Sequence, residues 1–483
     1  MSTGPSTPHD VDAAMSAARE SFERRELHSP TARRALLSAA AESLEHAGDE
    51  LVATAAAETA LGEERLGNEL GRTTGQLRLF ADEVDEGSWL DAHIDVAPVD
   101  IRVMNVPVGP VVVFAASNFP LAFSVAGGDT ASAFAAGCPV VVKAHPAHPR
   151  TSRIAADALH SAVAACNLSP AVFNMLTGGG DVGSALVDHP ATAAVGFTGS
   201  LAAGRSLFNR AAARPVPIPV YAEMGSTNPV FVLPGAARAR REEIATALSH
   251  SVTLGIGQFC TNPGLVFGVD LRPFAVDLAE RLGEIDAATM LSPTIGARYQ
   301  AGVEALLAVD GVELLAGSAG PGTPVCSLTT TDVFAATAEL SEEVFGPSTL
   351  VVSCADPAEL LRVAHDLPGQ LTATIHGQLD DPDDVALARQ LYDILTDKVG
   401  RIVWNGVPTG VAVTHAMQHG GPYPATTDSR STSVGTAAMR RFLRPVSFQE
   451  APPELLPEPL RDENPSQLLR RIGGTWGRSN LDR

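Results

Sequence analysis

The sequence predicts an α/β protein built on two parallel sheets covered by helices, with a small β arm beside them. Three observations lead there. Short valine-rich runs such as "VVVF" and "VVVK" alternate with helix-patterned segments, and strands apolar along their whole length are buried on both faces, as in parallel sheets. At 483 residues the chain outgrows a single hydrophobic core, so more than one domain is expected. Hydrophobic residues make up 45% and charged residues 18%, an ordinary globular composition.

Residues from about 10 to 80 are rich in Ala, Leu, Glu and Arg with apolar spacings of three and four, which predicts helix. From 107 onward strands and helices alternate: "PVGPVVVFAAS", "CPVVVKAHP", then the helical "RIAADALHSAVAACN". The strand series continues through "AAVGFTGS", "IPVYAEMG" and "NPVFVLPG". A second series follows with "GLVFGVD", "STLVVSC", "TATIHGQ" and "GRIVWNG", which places a junction between two α/β units near residue 235. The Pro-rich tail "PVSFQEAPPELLPEPLRDENPS" has no helical stripe and reads as an arm or edge segment.

With 34 Lys+Arg against 55 Asp+Glu the formal charge is −21, a field that disfavours nucleic acid and anionic membrane and favours a small-molecule partner. The five cysteines (138, 166, 260, 326, 354) are scattered, without C-x-x-C or Cys/His ligand spacing, so neither a disulfide framework nor a metal site is expected and a reducing compartment is. The first residues lack an apolar export core and no run of eighteen apolar residues occurs, so a cytoplasmic location is expected.

Several residues sit where chemistry is possible. Cys260 in "LGIGQFCTNPG" lies on a bend before an Asn-Pro-Gly turn, and taken alone reads first as a core thiol, with a nucleophile as the other reading. Lys143 ends a strand whose carboxyl end faces a ligand crevice, or else is a surface lysine. In "VGFTGSLAAGRSLF" a strand ends at Gly199-Ser200 and opens onto a helix, a place for a phosphate or a plain capped turn; the three-glycine dinucleotide fingerprint is absent. Glu223 in "VYAEMGSTNPV" follows a strand and reads as a general base or a loop acid. The amide of Asn118 in "AASNFPLAF" can donate to an oxyanion or close a turn.

Taken together, "SNFP", "VVKAHP", "GFTGS", "EMGSTNP", "GQFCTNPG" and "EEVFGP" make the chain resemble the aldehyde dehydrogenase superfamily over nearly its whole length. The segments "GRTTGQLRLFADEV" and "NGVPTGVAVTHAMQHGGPYPATTDSRSTSVGTAAMRRFLRPVSFQ" look like the bacterial branch with α-ketoglutarate semialdehyde (2,5-dioxovalerate) dehydrogenases and NADP-linked fatty aldehyde dehydrogenases. The resemblance implies a cofactor domain (1–84 and 104–235, with part of 410–440), a catalytic domain (236–409) and an oligomerisation arm and tail (85–103 and 440–483), assembled as a homodimer or homotetramer. It implies that Cys260 attacks an aldehyde, Asn118 and the Cys260 backbone N–H hold the oxyanion, and Glu223 serves as base. NADP or NAD would lie on Lys143, Ala116, Pro146, Gly199 and Ser200, with Glu343 and Phe345 on the nicotinamide ribose.

Relatives strict for NAD often carry a glutamate three positions after the lysine, where this chain has Pro146. His145, His148, Arg150 and Arg153 then supply positive or neutral polar groups for a 2′-phosphate, while Asp181 would repel one. A carboxylated semialdehyde calls for a cation, for which Arg72 is nominated with Gln76 four residues on along the same helix face; a structural ion pair is the other reading of Arg72. A long-chain aldehyde calls for an apolar tunnel, for which Phe119, Phe123 and Phe259 are available. Competing readings are a thiol esterase without redox chemistry and an inactive scaffold.

Overall fold

Helices α1 (Pro8–Glu23), α2 (Pro30–His46), α3 (Gly48–Thr59) and α4 (Glu63–Glu86) open the chain in the computed structural model, which describes residues 4–481. Thr7 and Asp10 form a reciprocal cap at the start of α1, and Gly87, at φ 83°, ends α4 in the left-handed conformation glycine tolerates. The buried face of α4 is unusually polar, with Glu69, Thr73, Thr74 and Gln76 among its leucines.

Next come β1 (Ala92–Asp95), β2 (Ile101–Pro107), β3 (Val111–Phe114), α5 (Gly128–Ala136), β4 (Val140–Lys143), α6 (Pro149–Ala165), β5 (Phe173–Leu176), α7 (Gly180–Asp188), β6 (Ala194–Thr198), α8 (Leu201–Ala212) and β7 (Val220–Glu223). Five of these strands form one sheet in the order β5-β4-β3-β6-β7, parallel throughout. Val111, Val112, Val140, Val141 and Val142 are fully buried in it, each stabilising by roughly 1.5–3 kcal/mol relative to exposure. The register sets Phe114 opposite Lys143 and Thr198 opposite Glu223. Lys143, Ser200 and Glu223 therefore share the carboxyl rim of the sheet.

The chain crosses to a second sheet between Glu223 and β8 (Val230–Val232), somewhat before the junction expected near 235. There follow α9 (Pro234–Thr253), β9 (Leu265–Val269), α10 (Arg272–Gly283), α11 (Pro293–Leu307), β10 (Glu313–Ala316), β11 (Val325–Thr330), α12 (Thr331–Ala336), β12 (Ser348–Cys354), α13 (Pro357–Asp366), β13 (Gln370–His376), α14 (Pro382–Thr396) and β14 (Val399–Trp404). The order is β10-β11-β12-β9-β8-β13-β14, parallel except for the β10–β11 pair. Phe231 and Phe267 stack at 5.5 Å in its core.

A third sheet, β15-β2-β1-β16-β17, takes its outer strands from the tail: β15 (Leu443–Gln449), β16 (Arg470–Ile472) and β17 (Thr475–Gly477). Between β14 and β15 an irregular strap returns to the first sheet: Ala425 accepts from Met224 N (2.8 Å) and Thr427 N donates to Ala222 (3.1 Å), with a bridge between Glu223 and Thr426. Among the described residues no helix is long and apolar enough to cross a membrane.

Candidate active site

Helix α9 gives way to a turn in which Gly255, Ile256 and Gly257 all have positive φ (56°, 60° and 63°). A side chain at Gly257 would come within 2.3 Å of the Gly346 backbone, so the cysteine turn lies directly on the "VFGP" loop. Half-buried Cys260 sits at the end of this turn. Asn228 fixes it from the strand connection by donating its side-chain amide to the carbonyls of Cys260 (2.8 Å) and Asn262 (2.9 Å), and Asn262 in turn donates to the Gly346 carbonyl at 3.1 Å. Gln370 Oε1 accepts from Thr227 N at 2.8 Å, tying the same connection to β13.

The thiol faces a histidine absent from the sequence reading. His419 Nε2, delivered by the strap, is 3.4 Å from Cys260 Sγ and 3.1 Å from Glu223 Oε1; His419 is 1% and Glu223 3% exposed. The three side-chain atoms lie within 4.8 Å of one another. Ser433, also on the strap, donates its hydroxyl to Glu223 Oε2. Burial pushes the Glu223 carboxyl up, but His419, the Ser433 hydroxyl and the Cys260 thiol outweigh it, and the group stands below its ordinary value. Burial pushes the Cys260 thiol well up, and the Glu223 carboxylate pushes it further. At rest the pair is thus a thiol beside a carboxylate, with the proton on sulfur and a base ready to take it.

Asn118 reaches the same turn: its Nδ2 donates to the Gln258 carbonyl at 3.0 Å, leaving its second N–H for another acceptor. The Asn118 loop is held by α4. Arg65 donates to the Asn118 carbonyl at 2.9 Å, and Glu69 Oε1 accepts from Leu121 N (2.8 Å) and Ala122 N (2.9 Å). Arg65 and Glu69 share a face of α4 with Arg72 and Gln76, and only the last two were picked out from sequence. Arg72 and Gln76 line a cavity of about 440 Å³ with Gly75, Leu79 and Val411–Val413. Among the described residues Arg72 makes no ion pair, against the structural reading of it.

Phe119, Phe123 and Phe259 meet edge to face, with Phe119 5.3 Å from Phe123 and 5.2 Å from Phe259. They do not form a bare apolar tunnel. Arg65 lies 5.0 and 5.1 Å over Phe119 and Phe259, and Arg72 5.9 and 5.2 Å over Phe119 and Phe123, a cation–π wall suited to an anion nearby.

On the rim of the first sheet, Lys143 is half-buried within electrostatic reach of Asp181, and desolvation lowers its ammonium. Ser200 caps α8 by accepting from Ala203 N at 3.4 Å, and Gly199, Ser200 and the first turn of α8 are exposed. Pro146 is exposed and Ala116 buried, its carbonyl accepting from His148 at 3.0 Å. His148 is therefore not a group for a phosphate, contrary to expectation: it is buried with its other nitrogen 3.1 Å from the Ser152 hydroxyl. His145 is neutral, since burial lowers it to about 3. Glu343 lies against Gly225, where a side chain would meet its carboxyl group at 2.5 Å, and burial raises that group to about 8; Phe345 is half-buried beside it.

The profile of the Aldehyde dehydrogenase family matches residues 2–443. Alpha-ketoglutaric semialdehyde dehydrogenase 2 of Azospirillum brasilense is 49% identical, covering 98% of this chain and 92% of the relative. Alpha-ketoglutaric semialdehyde dehydrogenase of Acinetobacter baylyi is 43% identical over 97% and 91% of the two chains. The fold is also that of betaine aldehyde dehydrogenase from Staphylococcus aureus solved with NAD+ (TM-score 0.80, 19% identity, 92% and 88% covered). Glyceraldehyde-3-phosphate dehydrogenase GapN from Methanocaldococcus jannaschii, solved with NADP, matches with TM-score 0.79 at 20% identity over 93% and 96%.

Proposed function

The chain belongs to the aldehyde dehydrogenase family, and on that premise we propose that it oxidises 2,5-dioxovalerate (α-ketoglutarate semialdehyde) to 2-oxoglutarate with NADP or NAD. The single observation that carries the chemistry is the meeting of Cys260 Sγ, His419 Nε2 and the Glu223 carboxylate at 3.4 and 3.1 Å. The substrate assignment is supported by two relatives of that name and by the arginines over the phenyl rings, which suit a short anionic aldehyde better than a long apolar one.

The first sheet fits a dinucleotide on its own terms. Its carboxyl rim carries Lys143 at the end of β4 and the exposed start of α8, the kind of rim on which open α/β sheets bind such ligands; Glu343 comes from the loop before β12 of the second sheet. Lys143 would hold the adenosine ribose, Gly199 and Ser200 the pyrophosphate, and Glu343 with Phe345 the second ribose. When bound, the cofactor would supply the hydride acceptor.

The chain's own residues do the rest. Glu223, with His419 in contact, takes the thiol proton, and the Cys260 sulfur forms a bond to the aldehyde carbon. The free N–H of Asn118 stabilises the oxyanion, a donor worth around 3 kcal/mol of barrier. After oxidation the acyl group is a thioester on Cys260. Once Glu223 has given up that proton to solvent, it removes one from the water that attacks the thioester carbon; the C–S bond breaks, the Cys260 sulfur leaves as a thiolate that is reprotonated, and the carboxylate product departs.

The exposed edge of β15 in the third sheet offers pairing to a second copy, supporting a homodimer or homotetramer, and five free cysteines suit a reducing cytoplasm. The deciding assay is reduction of NADP or NAD by the purified protein with 2,5-dioxovalerate, compared with Cys260→Ala. Full turnover by the Ala protein would remove the nucleophile from this scheme.

A further inference from the structure

Arginine N–H groups buried without acceptors are costly, and α4 carries three of them, on Arg65 and Arg72. Arg65 Nη1, Arg72 Nε and Arg72 Nη2 are buried with no hydrogen-bond partner. In Arg72 the two orphaned nitrogens are those of one edge of the guanidinium, whose parallel N–H bonds form the side-on fork that grips both oxygens of a carboxylate. The rings of Phe119 and Phe123 lie against the guanidinium at 5.9 and 5.2 Å and hold its plane.

Nothing on α4 satisfies that edge. Glu69, one turn before Arg72, spends Oε1 on the backbone of Leu121 and Ala122, and its Oε2 is itself buried without a partner. Arg72 and Glu69 are close enough to feel each other's charge, as are Arg72 and Cys260, yet no bond joins the arginine to the glutamate. Arg72 and Gly75 line one cavity, and a side chain at Gly75 would have nothing within 4 Å. A glycine inside a helix costs about 1 kcal/mol relative to alanine, and here it leaves space beside Arg72 unfilled.

We infer that the Nε–Nη2 edge of Arg72 receives the carboxylate at the far end of the substrate and makes this site selective for aldehydes that carry a distal carboxylate. Arg65 and Glu69 belong to the support, holding the Asn118 loop. The inference rests on aldehyde oxidation at Cys260 as proposed above, and deepens it by naming the group that chooses the substrate.

The test compares the ratio of kcat/KM for 2,5-dioxovalerate to that for pentanal, which has the same carbon chain without the carboxylate. In Arg72→Leu the ratio falls roughly 30-fold, the loss of charged hydrogen bonds, and Arg72→Lys recovers part of it; thermal melting checks that both variants fold. A ratio unchanged within twofold in the leucine variant overturns the inference while leaving aldehyde oxidation standing. A readout free of turnover keeps the two apart: 2-oxoglutarate, titrated by calorimetry into Cys260→Ala, binds, and binds at least tenfold more weakly when Arg72→Leu is added. Equal binding by the two proteins overturns the assignment of Arg72 even if no aldehyde is oxidised at all.

Discussion

His419 Nε2 lies 3.1 Å from Glu223 Oε1, two groups from distant parts of the chain that are both almost sealed from water. A carboxylate so enclosed needs a partner to stay ionised, and the histidine that provides one also touches the nucleophile. Replacing it with an apolar or shorter residue removes both contacts. His419→Ala is expected to lower kcat by two to three orders of magnitude, within the range of general acid–base contributions, while the protein melts as a folded species. Steady-state kinetics within twofold of the unmodified protein would exclude a catalytic role for this contact.

Ser433 acts on the same carboxylate by donating a hydrogen bond to its charged form, which helps hold Glu223 below its ordinary value. Ser433→Ala removes that donor, so the carboxyl rises and is protonated at higher pH. The acid limb of kcat/KM against pH is expected to move upward by roughly half a unit to one unit, the worth of one such bond. A limb that stays in place or moves down would show that Glu223 is not the group read by that limb.

Arg65 and Arg72 share a helix face but are predicted to fail differently. Arg65 anchors the Asn118 carbonyl, so Arg65→Met should loosen the oxyanion donor and lower kcat about tenfold for every aldehyde, the worth of one net hydrogen bond to a charged group. The preference for 2,5-dioxovalerate over pentanal should not change. Kinetics with the two aldehydes decide it: a selective loss on the carboxylated one would assign Arg65 to the substrate instead.

His376 ends β13 buried, with neither ring nitrogen partnered, and burial with Arg240 nearby lowers it to about 4. Its unfolded value is about 6.5, so between those two pH values the unfolded chain binds a proton that the folded chain refuses. Stability is therefore lost as pH falls from about 6.5 toward 4, at about 1.4 kcal/mol per pH unit for this group. His376→Leu should flatten the fall of Tm over that window and leave Tm at neutral pH equal or higher. A Tm profile parallel to that of the unmodified protein would mean that His376 is hydrated or paired in solution.

The α/β class was legible because valine runs buried on both faces leave little else for a segment to be; Lys143 and Glu223 stood out by ending such runs. Cys260 stood out by its turn. Strands β10 and β11 escaped, since "ELLA" is half-exposed and "VCSLTT" mixes in hydroxyls whose burial comes only from the neighbouring strand. His419 and Ser433 sit in an irregular strap with no periodicity, and what makes them functional is a contact with β7 across roughly 200 residues of chain, a separation no local pattern encodes. Arg65 and Glu69 were within reach: they stand seven and three residues before Arg72 on the same helical face, and a buried acid between two arginines on a globular helix is a signal in itself.

The strap that carries His419 and Ser433 pairs with β7, and it is made after nearly everything it touches. On the ribosome, the thiol and Glu223 both emerge well before His419 and Ser433, two of the groups that hold the Glu223 carboxyl below its ordinary value. Until the strap docks on β7, the base beside the thiol lacks both of those partners, so the carboxylate and the late-made segment mature as one unit.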